Sequence, residues 1–162
     1  MRILAAAGAI LMASATTALA APASVTVDIG PQLQAKAEKV LGVREVDDLA
    51  AQLRKTVERK LANSPAYDGA RIELVLVDAQ PNRPTFKQLG DRPGLSFESF
   101  GLGGAKIGGR AIAANGAVTP IAYKYYESDL HYAHRTTTWG DADVAFQQFA
   151  AKLRRGDLVA SR

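Results

Sequence analysis

The two histidines are the side chains in this sequence best suited to acid–base or metal chemistry. His131 and His134 are spaced i, i+3, so on a helix both imidazoles would face one side, where Glu127 or Asp129 could add a carboxylate ligand. Residues 126–135 are not convincingly helical, however, and two histidines with one loosely placed carboxylate make a poor metal site. We therefore interpret both as surface or loop histidines, with metal binding or a general-base role as the alternatives.

Nucleophilic chemistry has little support in the sequence. The chain contains no cysteine, which excludes thiol catalysis, disulfide exchange and cysteine-ligated zinc. No serine stands in a G-x-S-x-G pattern, and Ser96 and Ser99 have no base that can be placed beside them. The glycines between Gly101 and Gly109 are not followed by the GK[ST] of a phosphate loop. These patterns assign no catalytic residue, no metal and no cofactor.

Glu73 interrupts the nearly continuous aliphatic run of residues 70–79. Such a run is typical of a strand buried on both faces, so this is the predicted central strand. A buried carboxylate needs a partner, and the candidates for Glu73 are Arg71, Lys106 and Arg110. We predict a structural ion pair rather than a catalytic role.

Aromatic and basic side chains concentrate late in the chain and form the candidate interaction surface. Tyrosine, tryptophan and arginine are enriched at interface hot spots, and such a surface would suit a sugar or a peptide. The alternative is that the tyrosines pack across strands and that Trp139 packs at the entry to the last helix. The candidate residues are Tyr123, Tyr125, Tyr126, His131, Tyr132, Arg135 and Trp139.

The elements that position these side chains begin with a β-hairpin. Asn115 and Gly116 separate two apolar runs, and both residue types tolerate the positive φ of a type I′ turn. The sequence therefore predicts strands over residues 105–114 and 117–126, joined by a two-residue turn.

The predicted turn also sets the register of the hairpin. One face would be a flat surface of small residues, including Val118, Pro120 and Ala122, against which the last helix docks. The missing N–H of Pro120 would point away from the partner strand, so residues 117–126 are predicted to form an edge strand. The predicted cross-strand pairs are Tyr123 with Gly108, Tyr125 with Lys106 and Pro120 with Ala111.

Two amphipathic helices complete the predicted core. Residues 46–62 carry an apolar stripe with the helical period. Thr138 and Asp141 have the spacing of a capping box, after which two phenylalanines and several alanines form a second stripe. The second helix should therefore begin close to Thr138.

The fold class that follows is a single α+β domain over residues 21–156. It has a mostly antiparallel sheet of four to five strands with two amphipathic helices packed on one face, in the order β-α-β-(β)-β-β-α. The other predicted segments are a first strand at 24–29, a short helix or irregular arm at 32–42, an ordered loop at 81–94, an optional strand at 95–100 and a frayed tail at 157–162.

Residues 1–20 have the features of a secretory signal peptide. Arg2 precedes an apolar stretch that is too short to span a bilayer, and residues 18–20 read Ala-Leu-Ala, an A-x-A cleavage site. The mature chain is therefore predicted to start at Ala21 and to reach the periplasm. No cysteine lies near the cleavage site, so we do not expect a lipoprotein.

Net charge limits the expected partners. The formal charge of +4 becomes +3 when Arg2 leaves with the signal peptide. This mild excess is typical of a solvated surface, with weak attraction to anionic lipid or cell-wall polymer as the alternative. No basic block favours nucleic acid, and no second apolar run is long enough to span a membrane. An envelope protein or a cell-wall polymer is the expected partner, and the oligomeric state stays open.

Three patches of sequence resemble a group of known proteins. They are Arg83-Pro84-Thr85-Phe86 with Leu89, Pro93-Gly94-Leu95 leading to Gly103-Gly104-Ala105, and Thr138-Trp139 with Asp141-Ala142, Phe146 and Phe149-Ala150. Together they resemble exported Gram-negative envelope proteins of unknown function, in which an α/β domain ends in a W-x-D-A turn and an F-x-x-F-A-type helix. The resemblance implies an envelope location and brings no activity. Many of those proteins are lipid-anchored, and this chain departs from them in lacking the cysteine.

Two functional hypotheses follow from these observations. The first is a non-enzymatic periplasmic module that binds a protein or assists an envelope process, with an edge strand able to accept another strand. The second is a ligand-binding protein or an enzyme acting on cell-wall or glycan material, with its site among the glycine run, the tyrosines and His131. The first is favoured because nothing in the sequence demands a pocket.

Overall fold

The computed structural model describes residues 20–132 and 137–158, apart from the side chain of Tyr132. Residues 1–19 of the predicted signal peptide and residues 159–162 of the predicted tail lie outside the described residues. The elements in chain order are β1 (Ser24–Ile29), α1 (Pro31–Lys36), a π-helical turn (Ala37–Leu41), α2 (Val43–Leu61), a 3₁₀ turn (Pro65–Tyr67), β2 (Arg71–Gln80), α3 (Phe86–Asp91), β3 (Gly104–Ile112), β4 (Val118–Tyr126), a second 3₁₀ turn (Leu130–Tyr132) and α4 (Gly140–Arg155).

The described strands form one sheet in the order β1-β2-β3-β4. β1 and β2 run parallel, with α2 in the connection between them, whereas β2–β3 and β3–β4 are antiparallel. The predicted α+β class with a mostly antiparallel sheet is confirmed. The aliphatic run is also confirmed as an interior strand, since β2 has a neighbour on each side.

α2 and α4 pack against each other and on one face of this sheet. α2 buries its apolar stripe, and α4 buries Phe146 and Phe149 completely. Burying one phenylalanine side chain stabilises a fold by about 1.5–3 kcal/mol, so these two rings hold the last helix on the sheet. The β2 side chains that meet the helices are Ile72, Leu74 and Leu76.

The opposite face of β2 is only partly covered, although the sequence predicts burial on both faces. Side chains alternate along a strand, and Glu73 and Val75 on this second face are partly exposed. The prediction is wrong because both long helices lie on the other side of the sheet. Glu73 is 36 % exposed and pairs with Arg110 at 2.7 Å, which confirms a structural ion pair.

The hairpin connection is one residue longer than predicted. Ile112 pairs with Val118, Ala113 N donates to Ala117 O at 2.9 Å, and Gly116 N donates to Ala113 O at 2.8 Å. Gly116 is the one residue of this connection with a positive φ, +86°, as in three-residue loops that end in a left-handed residue. The predicted two-residue type I′ turn is therefore wrong.

This difference reverses which side chains of β4 face the helices. Val118, Pro120 and Ala122 are exposed, and Ile121 is buried where the flat face was predicted. The β3 half of that face does meet the helices. The corrected pairs are Tyr123 with Ile107, Tyr125 with Ala105 and Pro120 with Arg110.

The capping box lies at a different helix from the one predicted. Trp139 occupies the N-cap of α4, and its side chain makes no capping hydrogen bond to the helix, so the Thr138–Asp141 capping box is wrong. A capping box is present instead at α3, where Thr85 and Gln88 satisfy each other's backbone N–H groups. The T-x-x-Q spacing in the sequence could have revealed it.

Other connecting segments also differ from expectation. Residues 95–100 form turns rather than a strand, and the loop at 81–94 contains α3. The ambiguous segment at 32–42 is helical, as α1 and the π-helical turn. Leu158, in the predicted frayed tail, is buried in the core cluster.

Candidate interaction surface

β4 forms an edge of the sheet, because β3 is its only strand neighbour among the described residues. In an antiparallel pair, hydrogen-bonded and non-hydrogen-bonded positions alternate. Ala113 N donates to Ala117 O, and Glu127 N donates to Gly103 O, so the odd-numbered residues of β4 bond to β3. The even-numbered residues direct their N–H and C=O groups away from the sheet.

Pro120 belongs to the outward set and has no N–H, so its predicted orientation holds despite the change of register. Beyond it, Ala122, Lys124 and Tyr126 each direct an N–H and a C=O outward. None of these groups has a backbone partner within the part of the chain that the structure describes. An unpaired run of this kind is a template for another extended chain.

Tyr126 fastens the end of this edge to the centre of the sheet. Its hydroxyl donates to Asp78 Oδ2 at 2.6 Å, and Lys36 Nζ donates to Asp78 Oδ1 at 2.9 Å. Gly104 lies opposite Tyr126, where a Cβ would come within 2.3 Å of the Tyr125 carbonyl oxygen. Burial, together with the hydrogen bond to Asp78 and its charge, raises the pKa of Tyr126 far above its ordinary value. The hydroxyl therefore stays a donor at neutral pH.

Tyr123 and Tyr125 lie on the helix-facing side of β4, opposite to Tyr126. The Tyr123 ring packs against the Phe149 ring with centroids 5.7 Å apart, and burial raises the pKa of its hydroxyl. Tyr125 donates to Glu127 Oε2 at 2.9 Å. Tyr123 therefore packs on α4 and Tyr125 bonds to its own segment, whereas the alternative from the sequence was packing across strands.

The remaining candidate residues follow β4 in the sequence; they are His131, Tyr132, Arg135 and Trp139. The side chain of His131 is 94 % exposed and its Nδ1 lies 2.9 Å from Asp129 Oδ1, so it is a surface histidine as expected. Trp139 packs against the core and donates through Nε1 to Glu45 Oε2 on α2 at 3.2 Å. His134, Arg135 and the side chain of Tyr132 lie outside the described residues.

A buried polar cluster, not anticipated from the sequence, fastens the segment between β2 and β3 to α4. Asp141 is fully buried, and its Oδ2 accepts from Asn82 Nδ2 and from Gly103 N. Asp141 N donates to Asn82 Oδ1 at 2.8 Å. The backbone of Asn82 also bonds to Thr138 O and to Gly101 N. Asn82 and Asp141 therefore join two segments that are distant in sequence.

Five cavities of 220 to 600 Å³ in the described surface meet the site of the second hypothesis only in part. None of these five is lined by His131 or by the tyrosines of β4, but Gly101, at the start of the glycine run, lines one of about 400 Å³. Within residues 20–132 and 137–158, no three histidine or carboxylate side chains lie close enough to hold a metal ion. No helix of the same residues is long and apolar enough to cross a bilayer.

Comparison with known proteins gives distant likenesses in structure. No family model and no curated protein matches the sequence. A crystal structure described as "a putative lipoprotein from Caulobacter crescentus CB15" is 15 % identical, over 82 % of this chain and 85 % of that one, with a TM-score of 0.34. A "Minor Lipoprotein from Acinetobacter baumannii" is 12 % identical, over 83 % of this chain and 94 % of that one, with a TM-score of 0.35. At this level of likeness we assign the chain to no family.

Proposed function

We propose that this chain is an exported, non-enzymatic binding module of the bacterial envelope that captures an extended segment of a protein partner on β4. The observation that carries the proposal is the run of outward backbone groups at Ala122, Lys124 and Tyr126. Added strands gain affinity from main-chain hydrogen bonds and specificity from the side chains beside them. The predicted signal peptide supports a periplasmic location.

The charge beside this edge indicates the chemistry of the partner. Lys106 and Lys124 are direct cross-strand neighbours, and both are exposed. Neither forms an ion pair with another described residue, and like charges placed directly opposite each other destabilise a sheet. An acidic side chain on an added strand would offset this repulsion, so we expect the captured segment to be extended and acidic.

The test is a proline substitution that removes one outward N–H. Lys124→Pro deletes that donor and leaves the hydrogen bonds to β3 in place, since the native Pro120 already lacks its outward N–H. The control Lys124→Ala removes the same side chain but keeps the N–H. A lost main-chain hydrogen bond that leaves an unsatisfied acceptor costs about 1–3 kcal/mol. Site-specific photo-crosslinking in the periplasm should therefore capture a partner with Lys124→Ala about tenfold or more better than with Lys124→Pro, at equal melting temperatures. Equal capture by the two variants would refute strand addition.

The second hypothesis, a ligand-binding protein or an enzyme acting on cell-wall or glycan material, stays a prediction. A thermal-shift screen of residues 21–162 against muropeptides and sugars tests it, because a ligand that binds only the folded chain raises Tm. A shift that is the same in wild type and in Lys124→Pro would favour this hypothesis over strand capture.

A further inference from the structure

Three of the five phenylalanines of this chain are exposed to solvent within one short segment. Phe86, Phe97 and Phe100 are 77 %, 65 % and 52 % exposed, whereas Phe146 and Phe149 are fully buried. Each exposed ring forgoes the stabilisation that burial would give. Neighbouring apolar side chains exposed to solvent mark sites that interact with a protein, a membrane or a ligand.

The segment that carries these rings is anchored to the rest of the fold. The rings of Phe86 and Phe97 meet edge to face with centroids 6.3 Å apart. Phe86 N donates to Glu45 Oε1 on α2 at 2.9 Å, and Arg83 donates to Phe97 O at 2.8 Å. The capping box of Thr85 and Gln88 fixes the backbone at the start of α3. An ordered segment therefore holds the rings outward.

A cationic groove of about 400 Å³ adjoins these rings. Phe100 forms part of its wall, the cations Lys36, Arg83 and Arg92 lie along it, and no carboxylate lines it. Three other grooves of the described surface that carry cations also contain carboxylates. Lys36 is bound to Asp78, whereas the lining offers no carboxylate to Arg92. Guanidinium groups suit phosphate, which they bind through two parallel hydrogen bonds.

We propose that this end of the molecule docks on a phospholipid surface. The headgroup phosphate binds in the groove beside Arg83 and Arg92, and the rings of Phe97 and Phe100 enter the boundary between headgroups and acyl chains. Interfacial anchors combine apolar rings with arginine or lysine in this way. A soluble anion would account for the groove alone, whereas a lipid accounts for the groove and the rings together.

The first experiment is co-sedimentation of residues 21–162 with vesicles of phosphatidylglycerol and, separately, of phosphatidylcholine. We expect tighter binding to the anionic vesicles. Arg92→Gln should weaken it about fivefold, the effect of one cation near an anionic surface, and the control Arg154→Gln, on the exposed last turn of α4, should not. Glu98→Gln removes an exposed carboxylate from the ring-bearing segment and should strengthen binding. Lys124→Pro should bind vesicles as wild type does, which separates this surface from the β4 edge.

The second experiment tests the rings. Phe97→Ser combined with Phe100→Ser should reduce vesicle binding about tenfold or more at an unchanged melting temperature, while Leu130→Ser, a 58 % exposed control outside the segment, should not. Phe97→Trp should add a fluorescence signal that shifts to the blue on vesicles. Failure to bind either vesicle, or binding that survives the double substitution, overturns the proposal. Binding to an envelope protein without lipid through the same rings overturns it as well.

Discussion

Removing the Asp141 carboxylate should cost a large part of the stability of this fold. The side chain is fully buried and accepts hydrogen bonds from Asn82 Nδ2 and from Gly103 N. A buried donor left without its acceptor costs about 1–3 kcal/mol, so Asp141→Ala, which deprives both donors of this acceptor, should lower the free energy of unfolding by about 2–6 kcal/mol. A domain of this size has about 5–15 kcal/mol in total.

Urea unfolding, followed by circular dichroism, measures this loss. Asp141→Asn keeps one acceptor oxygen at nearly the same volume and should lose about half as much. The control Asp157→Asn breaks an exposed pair with Arg155 at 2.7 Å, which should change stability by less than about 1 kcal/mol. If Asp141→Ala were no more destabilising than Asp157→Asn, the cluster would not anchor the segment between β2 and β3, and the reasoning would be refuted.

Three further substitutions test other parts of the structure. Gly103→Ala should destabilise by about 1–3 kcal/mol in urea unfolding because its Cβ would lie 2.6 Å from Asn82 Oδ1, whereas Gly101→Ala, with nothing within 4 Å, should not; equal effects would contradict this. Burial raises the pKa of Asp143 above 3.8 in the folded chain, so its ionisation costs stability above the folded pKa. Asp143→Asn should therefore raise Tm at neutral pH, and the gain should disappear as the pH falls below 3.8; a gain independent of pH would contradict the assignment. Cleavage after residue 20 would create an ammonium group 3.4 Å from Asp68 Oδ1. Asp68→Asn should then destabilise the chain that starts at residue 21 by up to about 1 kcal/mol and leave the uncleaved chain unchanged, and an equal effect on both chains would rule out this contact.

The two long helices, α2 and α4, and the interior strand could be predicted from the sequence because their signals are local and periodic. The apolar stripe of α2 and the aliphatic run of β2 need no knowledge of their partners. The sequence predicts the hairpin in the right place but in the wrong register. Asn115-Gly116 suits both a two-residue and a three-residue connection. The structure has the three-residue form, in which Ala117 N donates to Asn115 Oδ1 and Gly116 alone has a positive φ.

The features that decide the candidate surfaces depend on tertiary contacts, which the sequence does not display. Asp141 has the spacing of a capping residue, yet it is bound by Asn82, which is far from it in sequence. Tyr123 looks like an exposed edge residue only in the predicted register, and its ring meets Phe149 in the correct one. The exposure of Phe86 and its neighbours follows from how α3 is anchored, which no pattern of residue types indicates.

Amide hydrogen exchange of the isolated mature chain tests most directly whether β4 is an edge open to another strand. The N–H groups of Tyr123 and Tyr125 face β3 and should exchange slowly. Those of Ala122 and Lys124 point outward and should exchange at close to the rate of an unstructured peptide, then become protected when a partner binds. Slow exchange at Ala122 and Lys124 in the isolated chain would contradict the account, because this edge would then already be covered.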